Sequence, residues 1–124
     1  MSVSFTKMHG CGNDFVVFDE RAGALGLTPA RVAALADRRT GIGCDQVISI
    51  EPAPVGSDAI AFMRIRNPDG TEAEACGNAT RCVAGVLAAE TGRSRLAIRT
   101  AAGDLWALVR PSGSIVVDMG PARL

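Results

Sequence analysis

The close spacing of turn signals is what most constrains this chain. Fourteen glycines and six prolines are spread over 124 residues and divide the sequence into short segments. Most of those segments have strand length and strand pattern. Ser2 to Met8 alternates Val3, Phe5 and Lys7 against Ser4, Thr6 and Met8. Asp14 to Glu20 carries Phe15-Val16-Val17-Phe18, the apolar run of a buried strand. Val47 to Ile50 is stopped by Pro52 and Pro54. Ala59 to Arg66 alternates, and Asn67-Pro68-Asp69-Gly70 turns it back. Arg95 to Thr100, Leu105 to Arg110 and Ser114 to Met119 complete about seven strands. Two segments have helical spacing instead. Thr28-Pro29 supplies an N-cap and a first-turn proline for a helix running to Arg38-Arg39. Ala79 to Glu90 sets Val83, Val86 and Leu87 on one stripe and stops at Thr91-Gly92. The expectation is one α+β domain with a mixed, largely antiparallel sheet.

Charge narrows the function. Thirteen cations balance thirteen anions, so the chain lacks the basic footprint of a nucleic-acid binder or a polybasic membrane anchor. No apolar run approaches the roughly 20 residues of a membrane helix. The first residues carry no cationic segment followed by an apolar one, so the expected location is cytoplasmic. The four cysteines, at 11, 44, 76 and 82, are therefore expected to be reduced. With no Cys-x-x-Cys pair and one histidine, no metal site is expected.

Cys76-Gly77-Asn78 stands at the start of the second helix. Unpaired N–H groups and the positive end of the helix dipole favour a thiolate there, and they can also hold a ligand carboxylate. Gly77 leaves room for a ligand, and Asn78 can cap the helix. The alternative, a buried thiol acting as a small hydrophobe, stays open on these local features. Cys82, among Val83 and Val86, reads as core; Cys11 and Cys44 lie in glycine-bearing loops and are undecided.

Three segments carry a resemblance: His9-Gly10-Cys11-Gly12-Asn13-Asp14-Phe15, Gly41-Ile42-Gly43-Cys44-Asp45-Gln46, and Asn67 through Cys82. In order and spacing they resemble the N-terminal signatures of diaminopimelate epimerase. Val117 to Pro121 is similar to the segment that closes that family's first domain. The resemblance covers residues 1–124 as a single domain, similar to the N-terminal half of the family's chain. It implies a curled sheet wrapped around a central helix. It further implies cofactor-independent interconversion of LL- and meso-2,6-diaminopimelate, on the route to lysine and peptidoglycan, by a cysteine pair. Cys76 matches one catalytic thiol, and Asn13, Gln46, Asn67, Gly77 and Asn78 match substrate contacts. The acidity problem explains these residue types. An α-hydrogen beside a carboxylate is a weak acid, so a thiolate on one face and a thiol on the other must work where developing charge is stabilised.

Two departures qualify the resemblance. The family chain is about twice as long and carries its partner thiol in the second half, which is absent here. Ala79 stands where the motif usually has glycine. Alternative expectations are therefore a non-catalytic amino-acid-binding half-domain, a related isomerase of the same fold, or a homodimer supplying two Cys76 thiols. An apolar patch is expected where a partner half would dock.

Overall fold

The computed structural model describes residues 5–10, 12–73 and 77–118. Its elements are β1 (Thr6–Gly10), β2 (Asn13–Asp19), α1 (Pro29–Ala36), β3 (Gln46–Glu51), β4 (Ala61–Arg66), β5 (Glu72–Ala73), α2 (Gly77–Thr91), β6 (Arg95–Thr100), β7 (Gly103–Val109) and β8 (Ile115–Asp118). They form one mixed sheet in the order β1-β2-β3-β4-β6-β7-β8, with β5 paired to β4. Two neighbouring pairs are parallel, β2–β3 and β4–β6. A parallel pair needs a long crossover, and each crossover carries one helix. The remaining pairs are antiparallel.

The two helices cover opposite faces. Phe15, Val17, Ile48, Ile50, Met63, Ile65, Leu96 and Ile98 turn inward onto Ala79, Val83, Ala84 and Leu87 of α2. The alternate residues Val16, Phe18 and Val47 turn outward onto Val32 and Ala36 of α1, with Cys44 among them. A period of two in the strands decides which helix each side chain meets. Each fully buried large apolar side chain stabilises the fold by about 1.5–3 kcal/mol before entropy is counted. The curled α+β sheet around a central helix is therefore observed, and α2 is that helix.

Boundaries differ from the sequence expectations in instructive places. The glycine loop expected over 9–13 is mostly hairpin, because His9 pairs with Asp14 and Gly10 with Asn13. The first helix ends at Ala36, not at Arg38-Arg39; Asp37 is extended there and accepts from the backbone N–H groups of Arg39 and Thr40. The second helix starts at Gly77, two residues before Ala79. On the outward face of β7 and β8, Trp106, Leu108 and Val116 are exposed, opposite the buried Leu105 and Ala107. The guanidinium of Arg95 lies 4.4 Å over the Trp106 ring.

Candidate active site

Four chain segments meet at one edge of the sheet. Asn13 opens β2 and Gln46 opens β3, and these strands run parallel. Asn67 follows the last residue of β4, which runs antiparallel to β3 and so ends at the same edge. Gly77 and Asn78 open α2. Gln46 lies beside Phe15, two residues along β2 from Asn13, so both amides belong to the α2 side of the sheet.

The side chains form two amide pairs. Asn78 Nδ2 donates to Asn13 Oδ1 at 3.2 Å, and Gln46 Nε2 donates to Asn67 Oδ1 at 3.2 Å. Arg81, one turn along α2, donates to Asn78 Oδ1 at 2.9 Å and orients that amide. The β4–β5 turn orients Asn67. Its backbone N–H donates to Thr71 O at 2.7 Å, and its Nδ2 donates to Thr71 Oγ1 at 3.3 Å. Gly70 completes this turn at φ +88°, where a Cβ would stand 2.5 Å from Pro29 Cα. Asn13, Gln46, Asn67, Gly77 and Asn78 are all half-buried.

Three features leave this edge able to hold a ligand. Gln46 Oε1 is buried without a hydrogen-bond partner, an acceptor that a ligand N–H can satisfy. A Cβ at Gly77 would meet nothing within 4 Å, so space is open at the helix start. The first N–H groups of a helix have no intrahelical acceptor and attract a carboxylate. Cys76, the expected catalytic residue, and Cys11 lie outside the described residues. Cys44 belongs to the α1 cluster, 3% exposed, and burial pushes its thiol up in pKa. Cys82 is half-buried beside the core, its Sγ 3.8 Å from the His9 carbonyl oxygen. Among the described residues no group of three or more His, Cys, Asp or Glu could hold a metal ion.

Sequence reasoning missed the charged residues behind the amides. The Asp14 carboxylate accepts from Arg38 Nη1 at 3.1 Å, from Arg38 Nη2 at 2.9 Å and from the Asp45 backbone N–H at 2.9 Å. Lys7 Nζ stands 3.3 Å from it and donates to Gly43 O at 2.6 Å. Asp45 reciprocates, its Oδ2 accepting from the Asp14 backbone N–H at 2.9 Å. The Arg38 hydrogen bonds, opposed by some desolvation and helped by Asp45 N–H and Lys7, hold the Asp14 carboxyl well below the usual carboxylate range. The available signal was adjacency: each aspartate immediately precedes or follows an amide residue in its motif.

Known proteins extend these observations. The sequence model of the family described as diaminopimelate epimerase matches residues 5–124. The chain is 57% identical to the diaminopimelate epimerase of Rhodospirillum centenum over 120 residues, 97% of this chain and 41% of that protein. It is 58% identical to that of Acidiphilium cryptum, over 97% of this chain and 42% of that protein. It thus spans about two fifths of the length of these relatives. In fold it is similar to a hydroxyproline epimerase from Agrobacterium vitis solved with bound trans-4-hydroxy-L-proline. The TM-score is 0.64 at 18% identity, covering 91% of this chain and 40% of that one. By the family model over residues 5–124 and the relatives at 57% and 58% identity, the chain belongs to the diaminopimelate epimerase family.

Proposed function

We propose that this chain is the N-terminal substrate-binding and proton-transferring half of an amino-acid epimerase acting on LL- and meso-2,6-diaminopimelate. The observation that carries it is the meeting of all three motifs at the α2 start, with Asn13 paired to Asn78 and Gln46 to Asn67. In this reading the α-carboxylate lies at the Gly77–Asn78 N–H groups, and the amides direct the substrate's amine and carboxylate. Cys76, as thiolate, takes the α-proton, and the electron pair passes into the carboxylate held at the helix start. A thiol on the opposite face returns a proton and inverts the centre. That second thiol comes from the length of the relatives that this chain does not span.

The test is α-proton exchange. The reduced chain is incubated with LL-diaminopimelate in D2O and followed by NMR, with Cys76→Ser as control. Exchange with retained configuration, lost in Cys76→Ser, is the expected result for one face of the site. Meso product from this chain alone would mean that two copies supply two Cys76 thiols. Line broadening without exchange would reduce the reading to amino-acid binding, and no response at millimolar ligand would overturn it.

A further inference from the structure

We propose that Asp14 is a positioning residue for the amide site, holding Asn13 and Gln46 in place from the opposite face of the sheet. This rests on the reading of those amides as substrate contacts. Strand alternation turns Asn13 and Gln46 toward α2 and Asp14 toward α1. Asp14 thus directly follows one amide residue in sequence, and Asp45 directly precedes the other. Their bracket is reciprocal. Asp14 N–H donates to Asp45 Oδ2, and Asp45 N–H donates both to Asp14 Oδ1 at 2.9 Å and to Asp14 O at 3.0 Å. These bonds fix the separation of β2 and β3 at the point where the amides emerge.

The cations tie in the rest of the edge. Arg38, just past α1, reaches both carboxylates, at 2.9 Å to Asp14 and 3.1 Å to Asp45. Lys7 joins β1 and the Gly43 carbonyl to the same carboxylate. Four donors on one carboxylate, whose side chain is 14% exposed, make a charge-assisted junction of β1, β2, the loop after α1 and β3. The junction lies on the α1 side of the sheet, away from the paired amides, so its effect passes through backbone placement. A site that works by aimed dipoles depends on such support.

The experiment compares the chain with Asp14→Asn, using the side-chain NH2 signals of Asn78 and Gln46, the donors of the two amide pairs. Their solvent-exchange rates are measured by saturation transfer without ligand, together with backbone amide protection at Ile48, Met63 and Leu96. The expected result is about tenfold faster exchange at both side chains, the loss of roughly one hydrogen bond, with sheet amides still protected. Val32→Ala loosens the α1 packing without touching the bracket and is expected to leave both side chains unchanged. If Asp14→Asn does not fold, Arg38→Gln, changed at a half-exposed side chain, replaces it and is expected to move exchange in the same direction. Unchanged exchange in the folded aspartate or arginine variant, or an equal change in Val32→Ala, overturns the positioning role. A titration with LL-diaminopimelate is run on the unaltered chain in parallel. Its failure would count against the substrate reading alone, since the exchange comparison uses no ligand.

Discussion

At the scale of single residues, the candidate site is built from amides that pair with one another and leave Gln46 Oε1 unpaired. Asparagine and glutamine carry both donor and acceptor, so Asn13–Asn78 and Gln46–Asn67 can pair while empty and re-pair with a zwitterion. Asn78→Ala removes a donor to Asn13 and leaves the Arg81 guanidinium without this acceptor. On the proposed reading of Asn78 as a substrate contact, it is expected to weaken diaminopimelate binding by about tenfold, roughly one hydrogen bond's worth. Calorimetry on both forms checks this, and equal affinities would remove Asn78 from the contact set. The two described thiols differ in burial: Cys44 is buried and Cys82 half-buried. Cys44 is 3% exposed with its thiol pushed up, so it stays unalkylated by iodoacetamide at pH 8 until the chain is unfolded. Peptide mass mapping would detect a Cys44 that reacts in the folded chain.

At the scale of elements, turns and caps aim the site. Thr28 accepts from the Arg31 backbone N–H at 3.2 Å at the start of α1. Thr28→Ala is expected to cost about 1 kcal/mol, read as a shift in urea midpoint at constant slope. Gly70→Ala is expected to cost about 1–3 kcal/mol, because it places a Cβ at positive φ and against Pro29. Since this turn also orients Asn67, the same substitution should shift the Asn67 NH2 signals; unshifted signals would separate the turn from the site. Both helices were legible in the sequence from cap and stripe. The end of α2 at Thr91 was legible too, but the end of α1 was not, because Arg38 is drawn to Asp14 and Asp45 rather than to the carbonyls that close α1.

At the scale of the whole molecule, one carboxylate joins the sheet to the loop after α1, and acid should show it. The pKa of Asp14 is lower folded than unfolded, chiefly through Arg38. A depressed folded value stabilises the native state above the unfolded carboxylate pKa of about 3.9. That stabilisation is lost as pH falls through this value toward the folded one. Urea midpoints measured from pH 6 down to pH 2 should therefore fall more steeply for the native sequence than for Asp14→Asn; parallel profiles would contradict the junction. On the outward face of β7 and β8, Trp106, Leu108 and Val116 form an exposed apolar row, with Arg95 over the Trp106 ring.

The sequence alone determined the element types, the three motifs and, through them, the family. Turn chemistry and apolar period are local, and motif order can be read without knowing any tertiary contact. It also named Asn13, Gln46, Asn67, Gly77 and Asn78, by resemblance. Only the tertiary structure decided that β2 and β3 run parallel, so that residues 33 positions apart open side by side. It alone paired the amides across 65 and 21 residues of chain and set Asp14 behind them. Strand register and the choice of sheet face are settled by which residues become neighbours, and hydrophobic period carries no record of partners.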